Sequence, residues 1–430
     1  MTERLARASG RHPWRVLAIW LVVTVAAVGT IGTFLESALE GEISITSETE
    51  SKRADELLME GFPPPPPEQD VTEVVVVRSE RGSVDEPAFV QRVQRLEDEL
   101  HEAGATIVIS SSSGDNEQLV SADRDATELL VGLGADPDEE TVKPLVALVQ
   151  ALDGEPGIEA AMTGEWTSDA DFAQLSQDDL RTGELYFGGP AALVILLLVF
   201  GAVVAGLVPL ALAIVSIVGA LALTALVGQM FPLSVFTINM LTAMGLALGI
   251  DYSLFVLSRF REERSGGREK LDAIAAAGAT ASRAVLFSGI AFVLAMVGLL
   301  LVPSTIMRSL AAGAILVGIV AIVAALTLLP AVLSLLGDRV NALRLPFFGR
   351  ATVGQAGESR FWARIVRAVM RRPVLSLALA AGLLVASAVP LLNLDTGSAG
   401  PSTFPDRFES KQGLLLLNEE FPSGGVEPVE

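Results

Sequence analysis

Apolar stretches long enough to cross a bilayer alternate with polar stretches along this chain. A membrane helix needs about 20 predominantly apolar residues. Stretches of this kind lie at 14–34, 185–203, 206–228, 233–257, 284–302, 309–336 and 373–394. The uncharged run 185–228 is too long for one helix, so the chain must turn within it. We predict that turn near Gly201, Gly206 and Pro209, which gives seven membrane helices and one large polar insert after the first.

The polar insert has its own alternation of strand and helix patterns. Strands are predicted at 71–78, 106–110, 126–132 and 158–163, and helices at 86–105 and 139–152. Their order, β-α-β-β-α-β, is that of a ferredoxin-like split βαβ sandwich. A further helix at 169–184 is expected to lead into the second span. We therefore predict an α-helical polytopic membrane protein with an α+β extracytoplasmic domain.

Charge separates this insert from the rest of the chain. The sequence is 51% hydrophobic and carries a formal net charge of −21. Residues 36–184 contain 36 of the 51 acidic residues and 9 of the 30 basic residues, so the remainder is net basic. Because the large polar domain is acidic, nucleic acid is not an expected partner. A domain of this charge can also be an adaptation to high salt, which the sequence leaves open.

The chemistry of most enzymes and metalloproteins is absent from the sequence. There is no cysteine, and the two histidines are His12 and His101, so a zinc site of the usual type is not expected. No Walker-type glycine-rich loop is present, which argues against nucleotide-driven activity. No nucleophile–base constellation stands out either. We therefore expect no metal and no organic cofactor, and an enzyme is the least expected class.

Basic residues predict the orientation in the membrane. Eighteen of the 30 lie in three segments: the N-terminus, the loop after the fourth span, and the stretch between spans six and seven. All three lie on one side if seven spans cross. Since cytoplasmic loops are enriched in Lys and Arg, we expect a multi-pass plasma-membrane protein with a cytoplasmic N-terminus. The stretch 360–372 predicts an amphipathic helix, either in the cytoplasmic interface or packed on the protein.

Asp251 is a charged residue within the fourth predicted span, with apolar sequence on both sides. A charge at the centre of a membrane helix costs about 2.5–3.5 kcal/mol on insertion scales, and such residues commonly mark ion or substrate paths. Tyr252 places a second titratable group next to it. A protonated, hydrogen-bonded structural aspartate is the alternative. Gly245 and Gly249 form a small-xxx-small pair that permits close helix packing.

The start of the chain recurs near its end, with a predicted span after each copy. At an offset of 360, Arg4, Arg7, Arg11 and Pro13 match Arg364, Arg367, Arg371 and Pro373. At an offset of 359, Glu50-Ser51-Lys52, Leu57-Leu58 and Phe62-Pro63 match Glu409-Ser410-Lys411, Leu416-Leu417 and Phe421-Pro422. Tandem repeats of this kind are typical of transporters. We expect this sequence to be the N-terminal half of a chain about twice as long, ending inside a second outer domain.

The segment Gly245–Glu263, GLALGIDYSLFVLSRFREE, resembles the fourth-span signature of the MMPL branch of the RND transporter superfamily. The resemblance implies proton-driven export of lipids or other hydrophobic compounds, with protons as the coupling ion. It implies that Asp251 carries the proton, that Tyr252 is its hydrogen-bonding partner, and that Ser288 lies near this relay. In the family a matching pair in the tenth span completes the relay, and this sequence does not reach that span.

The resemblance also implies a domain layout. An N-terminal segment with the first span (1–35) precedes an extracytoplasmic porter domain (36–184) and spans two to six (185–336). A cytoplasmic linker with the amphipathic helix (337–372), the seventh span (373–394) and the start of a second porter domain (395–430) follow. The expected partners are the bilayer, a hydrophobic substrate, and the missing C-terminal half or a second subunit. Homo-oligomerisation stays open.

Two other functions stay open at this stage. One is a related task, such as assisting protein translocation or sensing lipids, which the same layout serves in the superfamily. The other is a membrane scaffold or receptor whose acidic domain binds a partner and which transports nothing. Proton flux that depends on substrate would favour export, and an aspartate that never titrates would favour the scaffold.

Overall fold

The computed structural model describes residues 1–40, 49–61, 70–80, 82–113, 116–134, 137, 139–231, 233–234, 236–344, 360–394 and 400–422. The α-helices in these residues are α1 Thr2–Arg11, α2 Pro13–Phe34, α3 Glu50–Gly61, α4 Pro87–Glu102, α5 Glu139–Asp153, α6 Glu165–Asp179, α7 Gly189–Phe200, α8 Val203–Gly228, α9 Phe236–Ser265, α10 Lys270–Ala279, α11 Ala281–Leu299, α12 Thr305–Leu336, α13 Arg360–Arg371, α14 Pro373–Ala388 and α15 Glu409–Glu420. The strands are β1 Leu39–Glu40, β2 Glu73–Ser79, β3 Ile107–Ile109, β4 Ala126–Gly132, β5 Ile158–Gly164 and β6 Leu233–Ser234.

The chain divides into two compact units. The helical unit comprises Met1–Thr49 and Asp178–Leu394, and the sheet unit comprises Glu50–Gln177 and Asp395–Glu430. Segments distant in sequence therefore belong to the same unit, including the second copy of the repeat at 409–422.

Seven helical segments of the described chain are long and apolar enough to cross a membrane. They are Pro13–Phe34, Glu165–Phe200, Val203–Gly228, Phe236–Ser265, Lys270–Leu299, Thr305–Asn341 and Pro373–Leu392. The prediction of seven such helices is confirmed. Several extend well past the predicted spans, because hydropathy marks only the apolar part of a helix whose ends are polar.

The turn within 185–228 lies at Gly201. This residue ends α7 in the left-handed conformation, with φ of 64°, which glycine adopts without steric cost. The prediction was wrong for Gly206 and Pro209, which lie inside α8. Membrane helices tolerate glycine and proline because neighbouring helices and local adjustments satisfy the backbone groups that these residues disturb.

The core of the helical unit lies between α8, α9 and α12. Buried small residues, among them Ala213 and Ala220 of α8 and Gly313 and Ala314 of α12, allow the helix backbones to approach closely. The short helix α1 packs against α10 and α12. The contacts with α8 and α12 hold α9, the helix that carries Asp251, in position.

The sheet unit contains one four-stranded antiparallel sheet with the order β3-β4-β2-β5. Alternate residues of β2 point to opposite faces. Val75 and Val77 join a core with α4 and α5, whereas Val76 packs with Leu416 of α15 and Phe421. The sheet is thus covered on both faces, and one cover comes from the second copy of the repeat.

The helix predicted at 169–184 begins earlier, at Glu165. The backbone amides of Trp166 and Thr167, in its first turn, donate to the Glu73 carboxylate at 2.8 and 3.1 Å. A side chain from β2 therefore satisfies amides that a helix leaves unpaired at its N-terminus. The sequence pattern missed this start because the capping residue lies more than 90 positions away.

Candidate functional site

The helix α9 has one buried face and one exposed face. Leu241, Gly245, Gly249, Tyr252 and Val256 are buried against other helices of the unit. The residues of the exposed face are Ala243, Ala247, Asp251, Phe255 and Ser258. Asp251 and Tyr252 are neighbours in sequence, but successive helical residues are rotated by about 100°, so they belong to different faces.

Gly245 and Gly249 bring α8 close to the buried face of α9. A Cβ built at Gly249 would lie 2.5 Å from the Cα of Ala213, and one built at Gly245 would lie 2.4 Å from Cγ1 of Ile217. Real Cβ atoms do not approach other heavy atoms this closely. Both positions therefore require glycine while α8 stays where it is.

Tyr252 is 3% exposed and reaches towards α11. Its side chain is hydrogen-bonded to that of Ser288, and a Cβ built at Gly289 would lie 3.3 Å from the tyrosine hydroxyl oxygen. The structure thus brings together two of the residues that the resemblance singled out. Sequence reasoning missed Gly289, whose one available signal was a glycine directly after Ser288 in an apolar span.

Asp251 stands apart from this pair. In the part of the chain that the structure describes, its carboxylate has no hydrogen bond and no ion pair, and the residue is exposed on the helix surface. The Asp251 carboxylate interacts electrostatically with the side chain of the adjacent Tyr252. An isolated carboxylate on the surface of a membrane helix is costly in lipid.

The C-terminal end of α9 is polar and held by ionic contacts. Arg259 pairs with Glu262 and Glu263 at 2.6 and 2.5 Å. The guanidinium of Arg261 donates to the carbonyl of Phe200 at 3.0 Å and lies over its ring. The Arg261 contacts tie the end of α9 to the end of α7, and the Arg259 pairs support the helix beyond the predicted span from within.

Among the residues that the structure describes, no group of three or more His, Asp or Glu side chains could hold a metal ion. The candidate site comprises Asp251 on the exposed face of α9, and the pair formed by Tyr252 on the buried face of α9 and Ser288 on α11.

Comparison with known proteins extends this description. The MMPL family model matches residues 45–376. Membrane protein SCO6666 of Streptomyces coelicolor is 31% identical over 434 residues, which cover all of this chain and 59% of that protein. The mycolic acid-containing lipids exporter MmpL11 of Mycolicibacterium smegmatis is 30% identical, covering 99% of this chain and 44% of that protein. The heme uptake protein MmpL11 of Mycobacterium tuberculosis is 34% identical over 56% of this chain and 25% of that protein.

The chain thus spans about half the length of the first two relatives. The family match covers most of the chain, including both the sheet-forming segment and α9. The seven apolar helices, with an aspartate in the fourth, agree with this match. The chain belongs to the MMPL family.

Proposed function

We propose that this chain forms the first half of a proton-driven transporter that exports lipids or other hydrophobic compounds. The observation that carries the proposal is Asp251, a carboxylate on an exposed face of an apolar helix with no partner among the described residues. Members of the family are transporters, and we propose that this chain likewise is not an enzyme.

The exposed face of α9 supplies a place for the missing partner. A second repeat carrying its own aspartate and tyrosine on an equivalent helix would cover Asp251 and exclude lipid from it. Burial against that helix would favour the protonated form, and a nearby hydrogen-bond donor would favour the charged form. A proton that crosses the membrane by way of Asp251 brings about 2.3 kcal/mol per 100 mV to the transport cycle.

Tyr252 and Ser288 are proposed as positioning residues. Their hydrogen bond joins α9 to α11, so it fixes the rotation of α9 about its axis. That rotation decides where Asp251 points. This role differs from a direct bond between Tyr252 and Asp251, which the two faces of α9 do not favour in this half of the protein.

The proposed cargo is an apolar or amphipathic molecule. Two relatives share the name MmpL11: one is an exporter of mycolic acid-containing lipids, and the other is a heme uptake protein. Both cargoes are largely hydrophobic, which supports the class of cargo. The direction of transport differs between them, so export requires its own measurement.

We propose a plasma-membrane location with a cytoplasmic N-terminus and a ferredoxin-like porter domain outside. The basic segments support the orientation. The sheet order supports the fold, since β4 lies between β2 and β3, and β2 lies between β4 and β5. Each β-α-β unit is therefore split by a strand of the other, as in a split βαβ sandwich.

The test uses the full-length protein reconstituted in liposomes that contain a pH-sensitive dye. With a pH gradient and a hydrophobic cargo present, wild-type protein should give cargo-dependent proton flux. Asp251→Asn should reduce that flux to background, because an amide cannot carry the proton. The matched control is Asp272→Asn, since Asp272 is an exposed aspartate on α10 outside the α9 face.

Equal insertion of the variants is checked by their yield and monodispersity after purification. Full flux from a well-inserted Asp251→Asn protein would contradict the relay. If wild-type protein gave no flux with any cargo, the scaffold or receptor interpretation would replace transport.

A further inference from the structure

The helices α1 and α13 are counterparts in the internal repeat, and each is followed at once by an apolar helix that begins with proline. The match at an offset of 360 pairs each position of α1 with one of α13. The two helices nevertheless present different surfaces, and the difference predicts what α13 binds.

The fully buried positions of α1 carry small residues. Thr2, Ala6, Ser9 and Gly10 are buried against the helical unit. A Cβ built at Gly278 of α10 would lie 2.6 Å from the Cβ of Ala6. The Ser334 hydroxyl donates to the Gly10 carbonyl at 2.7 Å. This close approach to α10 and α12 leaves little room for larger side chains at Ala6 and Gly10, whereas Leu5 packs partly buried beside them.

The corresponding positions of α13 carry large apolar residues: Trp362, Val366, Val369 and Met370. Val366 is 56% exposed and Met370 is 71% exposed. Branched and long side chains at these positions would hold a neighbouring helix further away than α1 holds α10. We therefore do not expect α13 to pack on protein in the way that α1 does.

Charge distinguishes the two helices as well. Residues 360–372 contain five arginines and no acidic residue, whereas α1 contains Glu3. Arg7 of α1 lies 3.5 Å from Glu3 and 3.7 Å from Asp272, so carboxylates of the protein answer part of its charge. In α13 the exposed arginines 364, 367 and 371 lie on the side opposite Val366 and Val369.

We propose that α13 lies in the plane of the membrane and binds anionic phospholipids. Its arginines contact the headgroups, and Ile365, Val366, Val369 and Met370 enter the acyl region. A basic amphipathic helix of this kind binds through its buried apolar area together with attraction to anionic lipids. Pro373 begins α14, an apolar helix, so α13 is held at the membrane surface by its own chain. The proposal does not depend on transport.

These 430 residues contain no cysteine, so a single cysteine introduced here carries the spin label in a full-length protein whose remaining cysteines, where present, are replaced by serine. The full-length protein is labelled at Val369→Cys, at the centre of the apolar face, or at Ala368→Cys, one position away near the arginine face. Each is reconstituted in phosphatidylcholine vesicles with and without phosphatidylglycerol. Collisions with oxygen report lipid, and collisions with a water-soluble nickel chelate report solvent.

With phosphatidylglycerol present, the label at position 369 should collide with oxygen several-fold more often than with nickel, and the label at 368 should show the opposite preference. Without phosphatidylglycerol the label at 369 should become more accessible to nickel. Low collision rates with both reagents at 369 would mean that α13 packs on protein, and high rates with nickel in both lipids would mean that it lies in solvent. Either result would overturn the proposal.

A second variant tests the part played by charge. In the Val369→Cys background, replacing Arg364, Arg367 and Arg371 by Gln should abolish the effect of phosphatidylglycerol on the label. The matched control replaces the repeat counterparts Arg4, Arg7 and Arg11 by Gln and should leave that effect intact. An unchanged effect in the α13 triple variant would overturn the role of anionic lipid.

Discussion

The two units of this protein differ in the burial and the pairing of their carboxylates. In the sheet unit, Glu73 and Glu409 are buried and hydrogen-bonded. In the helical unit, Asp251 is exposed on α9 and has no hydrogen bond or ion pair among the described residues. The difference separates two carboxylates that bind groups of their own unit from one that has no partner in the described part of the chain.

The glutamates of the sheet unit hold distant segments together. Glu73 on β2 caps α6, accepting from two of its amides and from the Thr167 hydroxyl. Glu409 on α15 accepts from the amide of Met162 and from Gln150, each at 3.0 Å. Burial raises the pKa of both glutamates above the usual range, although their hydrogen bonds act in the other direction.

Buried polar groups in native proteins are nearly always paired. The two glutamates follow this rule within their own unit, so their role is structural. The rule does not apply to Asp251, because this residue is exposed on its helix. Its lack of a partner among the described residues is the observation behind the proposal that it serves transport and not the fold of this chain.

The largest effect, after loss of flux in Asp251→Asn, is expected from Gly249→Val on the buried face of α9. The new side chain would collide with the backbone of α8 at Ala213. Overpacking of this kind destabilises by about 1–3 kcal/mol, occasionally more. Thermal stability in detergent, followed by size-exclusion chromatography, is the measurement.

The control for this change is Ala247→Val, which places the same side chain on the exposed face of the same helix. In this chain alone it should have little effect on stability. Equal losses from both substitutions would mean that the two faces of α9 are not distinct.

A smaller loss is expected from Glu73→Ala in the sheet unit. Two amides at the start of α6 would lose their acceptor, which costs about 1–2 kcal/mol for a helix N-cap. Hydrogen exchange of the purified chain should show faster exchange at the first turn of α6. Glu80→Ala, at an exposed position just after β2, is the control and should leave this turn unchanged.

The pH dependence of the sheet unit follows from Glu409. Since burial raises its pKa in the folded state, the folded state binds more protons than the unfolded state above pH 4.5. The free energy of unfolding should therefore fall as pH rises from there through the raised pKa, by up to about 1.4 kcal/mol per pH unit for each such group.

Glu409→Gln should reduce this slope, because the amide keeps an acceptor for Met162 and does not titrate. Glu73 contributes with the same sign, so a residual slope is expected. Denaturant unfolding between mildly acidic and neutral pH measures it, and stability that rises with pH in this window would contradict the assignment.

The smallest effect is expected at Tyr252 and Ser288. Tyr252→Phe and Ser288→Ala each remove one partner of the bond between α9 and α11, at a net cost of about 1 kcal/mol. The double variant should cost less than the sum of the single ones, because either change breaks the same bond. Ser253→Ala is the control, since Ser253 donates to Gly249 within its own helix and should not couple to Tyr252.

The repeat shows how far sequence reaches in this protein. Matching residues near 50 and 409 were evident, but the pattern did not show that both segments are helices, α3 and α15. Nor did it show that α15 covers a face of the sheet formed by the first copy. Gly413 allows that contact, since a Cβ there would lie 2.5 Å from the backbone of Met162, about 250 positions earlier.

The sequence by itself determined the seven apolar helices and the strands of the sheet, because these rest on local composition and on periodicity, which need no knowledge of neighbours. The family followed from the resemblance of the segment Gly245–Glu263 to a known signature, and the same segment drew attention to Asp251. Only the tertiary structure decided that Asp251 and Tyr252 lie on different faces of α9, that Glu73 caps α6, and that Gly201 alone marks the turn. Each of these depends on which segments pack together, and packing is a contact between residues that the sequence does not place side by side.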